Sequence, residues 1–281
     1  MSLVVNTNVP STHASRSLAA NRLDLEKAME RLSSGKRLNS SRDDAAGMSV
    51  VTRMTSQIQG LNMAVRNAND GISMANTYDA AAEEVGNVLS RMRELAVQMS
   101  SGTYKDTDRT NANEEFSALA TEVDRIANNT RFNAQVVADG AAGTSGAVTI
   151  QVDEASNGAT SNITLTFTSL KGSDLVSGFG SQVVSSSSAA GTAIGKIDTA
   201  LETLNTNRAK VGSVVNRIEH TVAVLMNTVQ RTEEARSRIQ DTDYAAESAN
   251  LARANVLAQA GTAMLAQSNQ SPQYVLTLLR S

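Results

Sequence analysis

The sequence predicts a mainly α-helical protein: a long antiparallel helical hairpin, or coiled-coil rod, with a small insert that contains a β-hairpin. Two stripes of apolar residues at spacings of three and four support the hairpin, one within residues 58–99 and the other within 194–229. The two prolines, Pro10 and Pro272, lie near the ends, so the helices between them can be long. Residues 139–192 differ in being rich in Gly, Ser and Thr. A rod of this kind is more typical of a scaffold than of an enzyme.

The composition restricts the core and the classes of partner. Hydrophobic residues make up 41% of the chain but aromatic residues only 3%, which suits thin seams between helices better than a thick globular centre. With a formal net charge of -3, no strong electrostatic attraction to nucleic acid or anionic lipid is expected. The absence of cysteine excludes disulfides and thiolate metal sites. Without a recognisable signal peptide or membrane-spanning stretch, ordinary signals predict a soluble cytosolic protein.

The first 100 residues predict a short amphipathic helix followed by a very long one. Leu18, Leu25 and Leu32 are seven apart and give the first helix a thin apolar face, which predicts that it needs a partner. Residues 33–35 (SSG) end this helix, and Asp43 or Asp44 is expected to cap the next. The long helix is expected to end at residues 101–103 (SGT).

The rest of the chain predicts another short helix, a hairpin and two further helices. Residues 106–108 (DTD) can start a helix, and alternating apolar residues at 148–152 and 163–167 flank Asn157-Gly158 as in a hairpin. We expect this insert to be exposed and too small to bury much. The second long helix is expected at about 193–238, and a last helix at about 245–267, before an apolar tail whose burial in another subunit is predicted.

No constellation of residues predicts catalysis, a cofactor or a metal. Acidic pairs such as Glu83-Glu84 and Glu114-Glu115 point about 100° apart on a helix, which favours solvated faces over carboxylate pairs. His13 and His220 lie in different segments without ligand-type neighbours, and Asp241-Thr-Asp243 lacks the other positions of a calcium loop. We therefore predict that the chain is not an enzyme.

Seven stretches carry a resemblance to one family. They are residues 29–40 (MERLSSGKRLNS), 43–50 (DDAAGMSV), 66–73 (RNANDGIS), 93–98 (RELAVQ), 235–244 (ARSRIQDTDY), 259–267 (QAGTAMLAQ) and 272–280 (PQYVLTLLR). Any one could occur by chance in a helical protein, but all of them in this order form a specific signal. The chain resembles bacterial flagellin over roughly 1–139 and 193–281.

The resemblance implies a division of labour along the chain. Residues 1–43 would be an inner-tube helix with its connector, and 241–281 its C-terminal counterpart, paired with it in the polymer. Two segments, 44–139 and 193–240, would form the outer helical rod, and 140–192 the short surface-exposed insert. The implied function is a structural subunit that is exported unfolded and polymerises through its terminal helices into the flagellar filament for swimming. The related hook–filament junction protein is the alternative, and a signalling or adhesin coiled coil stays open as a different class.

The resemblance also implies a location and a set of partners. Flagellins are exported without a cleaved signal peptide, so the expected address is the extracellular filament rather than the cytosol. The partners implied are further copies of the chain, the flagellar type III export apparatus, an export chaperone on the C-terminal segment, and the filament cap and hook-associated proteins. Recognition by the vertebrate Toll-like receptor for flagellin is implied too. No nucleic-acid binding, membrane insertion or cofactor is expected.

Two groups of site residues follow. Leu95 lies off the centre of the core stripe formed by residues 89, 92 and 96, which leaves it as a flanking core residue or a surface contact. The resemblance implies that Arg91, Leu95 and Glu115 form a patch for subunit packing and receptor recognition. The expected inner-tube contacts are Leu18, Leu25, Leu32, Leu251, Leu265, Val275, Leu278 and Leu279.

Overall fold

The computed structural model describes residues 7–154, 161–181 and 183–278, with side chains up to residue 270. The helices are α1 (Val9–Ser34), α2 (Ala45–Ser100), α3 (Asp106–Asn129), α4 (Gly172–Leu175), α5 (Ser187–Gln240) and α6 (Tyr244–Leu278). The strands are β1 (Arg131–Phe132), β2 (Gln135–Val136), β3 (Ala147–Gln151) and β4 (Asn162–Thr166), and a 3-10 turn spans Phe179–Ser181. This architecture confirms the prediction of long helices with a small antiparallel insert. The last helix continues past the predicted residue 267, and α5 begins earlier than the predicted residue 193.

Capping interactions explain where the helices begin and end. Gly35 ends α1 in a left-handed conformation (φ 69°), in which its N–H bonds the carbonyl of Arg31. Asp44 caps α2 as predicted, since its Oδ1 accepts the N–H of Gly47 at 2.9 Å. At the other end of α2, the buried guanidinium of Arg109 donates to the carbonyls of Met99 (3.1 Å) and Ser101 (2.9 Å). This side chain supplies donors to carbonyls that the end of a helix leaves free.

The chain divides into two compact units, each of which takes part of the long helices. The terminal unit comprises residues 1–56 and 231–281, and the central unit comprises 57–230. The boundaries therefore fall inside α2 and α5, whereas the predicted segment boundaries at 43/44 and 240/241 coincide with the connectors next to those helices.

The central unit is built around α2, which packs against α5, α3 and the insert. A Cβ at Gly86 would lie 3.4 Å from Leu204 of α5, and Arg93 pairs with Asp198 of α5 at 2.7 Å. The core is continuous from Ala68 to Met99 along α2, and its largest fully buried side chains include Tyr78, Phe116, Phe167 and Phe179.

The insert contributes to this core, so the expectation that it would bury little is wrong. β3 and β4 pair in antiparallel register, with Ile150 opposite Ile163 and Val148 opposite Leu165. The inward face of the hairpin lies on α2 where glycine leaves room: a Cβ on Gly71 would collide with Ile150 Cδ1. The insert residues buried in this way are Ile150, Val152, Ile163, Leu165, Phe167, Leu170, Leu175, Val176, Phe179 and Val184.

Tyr78 joins the insert to α2 most directly. Its hydroxyl donates to the carbonyl of Thr168 at 2.9 Å, and its ring centroid lies 5.2 Å from that of Phe167. Burial raises the pKa of this phenol, and the neighbouring charge of Asp79 adds to the effect. The predicted turn between β3 and β4, Asn157-Gly158, lies outside the described residues.

Candidate subunit-packing surfaces

The terminal unit pairs α1 with α6 within one chain. Buried and half-buried residues recur on both helices at alternating spacings of three and four, as in a coiled coil. We call these residues the terminal seam: Ser11, Ala14, Leu18, Asn21, Leu25, Ala28 and Leu32 on α1, and Glu247, Leu251, Ala254, Ala258, Gly261, Leu265 and Ser268 on α6.

Direct contacts fix the antiparallel alignment of the terminal seam. Asn8 donates to the carbonyl of Ser268 at 2.9 Å, and Ser11 bonds Asn269 at 2.8 Å. Near its middle, a Cβ on Gly261 would lie 3.3 Å from Leu18. Small residues occupy much of the seam, so the two helices can approach closely but bury little apolar surface.

The connectors between the short and long helices also join. The N–H of Arg37 donates to the carbonyl of Gln240 at 2.6 Å, and the N–H of Thr242 donates to that of Gly35 at 3.0 Å. The guanidinium of Arg37 additionally bonds the carbonyl of Ile239 at 2.7 Å, at the end of α5. These hydrogen bonds link stretches of chain that are far apart in sequence, since Arg37 and Ile239 are separated by 202 residues.

The predicted inner-tube leucines lie in the terminal seam. Leu18, Leu25, Leu32, Leu251 and Leu265 are all half-buried between α1 and α6 of the same chain. Their contact with other subunits stays a prediction. The side chains of Val275 and Leu278 lie outside the described residues, as does the whole of Leu279.

Heptad counting missed the apolar side chains that α1 and α6 expose. We call five of them, which lie beyond the first residue of each helix, the outward apolar residues: Leu23 (61% exposed) and Met29 (52%) on α1, and Val256 (65%), Leu257 (44%) and Met264 (63%) on α6. The sequence could have shown this exposure. Each helix packs on the other through its seam positions, so large apolar residues elsewhere on α1 or α6 have no partner within the pair.

A charged groove runs beside the terminal seam. It encloses about 250 Å³ and is lined by Asn21, Asp24, Lys27, Arg31, Glu247, Asn250, Arg253, Ala254 and Leu257. Glu247 is 9% exposed, and its carboxylate lies 3.9 Å from the guanidinium of Arg31. The mixture of both signs indicates a structural ion pair beside the seam rather than a site for one strongly charged ligand.

The structure brings together two of the three residues of the predicted patch. Arg91 contacts Glu115 through its Nη2 (3.0 Å) and its Nε (3.2 Å), and Glu94 through its Nη1 (3.1 Å). The hydrogen bond to Glu115, followed by the bond to Glu94, raises the pKa of Arg91. These side chains are about half exposed or more, so solvent screens the pairs and they stabilise the fold only weakly. Sequence reasoning did not assign Glu94 to the patch, although its spacing of three from Arg91 favours such a pair.

Leu95 does not lie on this surface. It is 4% exposed, so the expectation of a surface contact is wrong for the monomer, and the flanking-core interpretation describes its position. The cause is the width of the buried arc of α2. Met74, Ala81 and Leu95 share a row at multiples of seven and are all buried, in addition to the central stripe. A role of Arg91, Leu95 and Glu115 in subunit packing or receptor recognition stays a prediction.

The described residues contain neither a cluster of metal-ligating side chains nor a helix that could span a membrane. Across 7–154, 161–181 and 183–278, no three His, Cys, Asp or Glu side chains are grouped so that they could hold a metal ion. Within the same ranges, no helix combines the length and apolarity needed to cross a bilayer.

Two family models match the helical parts of the chain. The family described as the bacterial flagellin N-terminal helical region matches residues 5–143, and the bacterial flagellin C-terminal helical region matches 194–279. The flagellin of Halalkalibacterium halodurans is 41% identical over 99% of this chain and 100% of its own length. The flagellar filament 31.3 kDa core protein of Treponema maltophilum is 38% identical over the same shares.

A solved structure extends the likeness in fold. The putative flagellar hook-associated protein from Vibrio parahaemolyticus superimposes with a TM-score of 0.57, covering 71% of this chain and 100% of its own, at 11% identity. At this identity the likeness concerns the fold alone.

Proposed function

The chain belongs to the bacterial flagellin family, and we propose that it assembles by burying its outward apolar residues against further copies of itself. Membership makes the chain a structural subunit of the flagellar filament. The hook–filament junction protein is not better supported, since the likeness to a hook-associated protein is one of fold alone.

The observation that carries the proposal is the exposure of large apolar side chains on both helices of the terminal unit. Leu23, Val256 and Met264 are each more than 60% exposed, although the pair already has a seam. Fully burying a side chain of this size contributes about 1.5–3 kcal/mol. Contacts between different surfaces of successive subunits can repeat without closing, as a helical filament requires.

The small apolar surface of the terminal seam supports a proposal about how the chain is exported before it assembles. Isolated helices with little to bury are marginal in water, so α1 and α6 can remain unfolded until partners offset the ordering entropy. We propose that this permits passage through the flagellar type III export apparatus, with a chaperone on the C-terminal segment, to the extracellular filament. Residues 1–43 and 241–281 then form the inner tube, 44–139 and 193–240 the rod, and 140–192 the outer insert. The role is structural rather than enzymatic.

The central experiment compares two triple variants of the full chain. The polar triple carries Leu23→Gln, Val256→Gln and Met264→Gln, and the matched apolar triple carries Leu23→Met, Val256→Ile and Met264→Leu. Each purified monomer is mixed with sheared filament seeds, and growth is followed by sedimentation and negative-stain electron microscopy. We expect the apolar triple to elongate the seeds and the polar triple to remain monomeric with unchanged far-UV circular dichroism.

Two outcomes would overturn the proposal. Elongation by the polar triple at the rate of the parent would show that these side chains do not drive assembly. A loss of helicity in the polar monomer would show that they belong to the fold of the single chain. Electron microscopy of the parent chain tests separately whether it is a filament subunit. Failure of the parent to elongate the seeds would contradict that function.

A further inference from the structure

Methionine supplies all the sulfur of this chain, and its side chains fall into an exposed and a buried group. The sequence contains ten methionines and no cysteine. Among the described residues, those that are between 47% and 63% exposed are Met29, Met63, Met226 and Met264. Those that are at most 5% exposed, all on α2, are Met74, Met92 and Met99. An oxidant dissolved in water therefore reaches the first group far more readily than the second.

A peroxide changes the polarity of the methionine side chain that it reaches. A lone pair of the sulfur attacks one peroxide oxygen, the O–O bond breaks, and the other oxygen leaves as water after taking up a proton. The sulfur is oxidised by two electrons to a sulfoxide, and the peroxide is reduced. The product carries a polar S=O group where the thioether was apolar and flexible.

Two of the exposed methionines belong to the outward apolar residues of the terminal unit. Met29 lies near the connector end of the terminal seam, two positions before Arg31, which pairs with Glu247 of α6. Met264 lies near the opposite end, one helical turn before Ser268, whose carbonyl accepts a hydrogen bond from the start of α1. Each end of the α1–α6 pair therefore presents one oxidisable side chain.

Oxidation of these two side chains affects assembly more than folding. In the monomer both side chains are exposed, so water can solvate the sulfoxide oxygen. When the same surface is buried against apolar side chains of another subunit, that oxygen loses its water and gains no hydrogen-bond donor, which is unfavourable. The sulfoxide thus opposes the assembled state without opposing the folded monomer.

We propose that Met29 and Met264 are oxidation sites through which a peroxide prevents assembly of the chain while leaving its fold intact. The inference rests on the assembly surface proposed above and adds its regulation by two-electron oxidants. Methionine sulfoxide reductases make the change reversible. In that step two thiols are oxidised to a disulfide, the sulfoxide is reduced to the thioether, and its oxygen leaves as water.

The test oxidises the purified full-length monomer with dilute hydrogen peroxide before sheared filament seeds are added. Peptide mass spectrometry identifies the oxidised methionines, and far-UV circular dichroism reports the fold. We expect Met29 and Met264 to be oxidised before Met92, with unchanged circular dichroism. Elongation should then require an about tenfold higher monomer concentration. Treatment with the reductases for both sulfoxide epimers and dithiothreitol should restore growth.

Two matched variants separate the terminal methionines from the central ones. The terminal variant carries Met29→Leu and Met264→Leu, and the central variant carries Met63→Leu and Met226→Leu, so all four exchanges keep an apolar side chain. For each variant, growth after peroxide is compared with its own growth before peroxide. We expect peroxide to have little effect on the terminal variant and to inhibit the central variant as strongly as the parent.

Three outcomes would overturn the proposal. They are undiminished growth of the oxidised parent, equal inhibition of the two variants by peroxide, and oxidation of Met92 as fast as that of Met264. Failure of the proposed function has a different signature, because the untreated parent would then fail to elongate the seeds or the polar triple would elongate them. If the oxidised parent grows normally but the polar triple does not, the assembly surface stands and only its regulation by oxidation is wrong.

Discussion

The terminal and central units have the same heptad spacing, but their cores differ in size and in the residues that form them. The seam between α1 and α6 consists largely of small and polar residues, and both helices leave large apolar side chains exposed. In the central unit, α2 is covered by α5, α3 and the insert, and four aromatic side chains are fully buried. The difference lies in the size of the core, since exposed apolar side chains such as Val224 (62%) and Met226 (60%) occur in the central unit too.

The largest expected effect comes from removing an aromatic side chain of the central core. Tyr78→Ala should lower the free energy of unfolding by about 3–5 kcal/mol, because it deletes the ring packed on Phe167 and leaves a cavity. Tyr78→Phe keeps the ring and loses only the bond to Thr168, so about 1 kcal/mol is expected. Urea denaturation measures both. Equal losses for the two variants would assign the stabilisation to the hydroxyl and weaken the contrast between the units.

A smaller effect distinguishes a buried leucine from an exposed one on similar helices. Leu95→Ala should destabilise the monomer by about 2–4 kcal/mol, since the side chain is 4% exposed. Leu257→Ala, at a residue 44% exposed, should change monomer stability by less than about 0.5 kcal/mol but slow the elongation of filament seeds. Far-UV circular dichroism in urea and the seeded assay give the two readouts. If Leu95→Ala impaired only elongation, Leu95 would be a subunit contact after all.

Sequence periodicity predicted the helices because their signals are local. Apolar spacing, the glycine after α1 and the aspartate before α2 each depend on residues within a few positions, so these elements were predicted close to their observed limits. The core contributed by the insert could not be predicted in this way. Whether Ile150 is buried depends on Gly71, which lies about 80 residues away and accepts the side chain only because it has no Cβ.

The site residues likewise depend on contacts between distant parts of the chain, for which there is no local sequence signal. The family resemblance placed Arg91 and Glu115 in one patch, but their ion pair was not predicted, since residues on two different helices have no local signal that joins them. The sequence left Leu95 open between a flanking core position and a surface contact, because a stripe of three- and four-residue spacings describes a helix with one neighbour. α2 has neighbours on several sides, so its buried arc is wider than the stripe. The outward apolar residues were overlooked for a related reason, since the seam of α1 and α6 accounts for only one face of each helix.

The smallest effect concerns the connector before α2, where the charge of Asp43 holds two backbone N–H groups. The carboxylate of Asp43 accepts the N–H groups of Ser40 (3.0 Å) and Asn39 (3.3 Å), and these bonds, with that to Ser40 the stronger influence, hold its pKa below the ordinary value of 3.8. A pKa lowered by folding contributes stability above the unfolded value, and this contribution is lost as the pH falls through the folded value. Asp43→Asn should therefore weaken the connector at neutral pH and make no difference in strong acid. The amide proton of Ser40, followed by NMR, should titrate with a midpoint below 3.8 in the parent and in the Asp70→Asn control but not in Asp43→Asn. A midpoint at or above 3.8 in the parent would mean that the N–H groups of Ser40 and Asn39 do not hold the carboxylate.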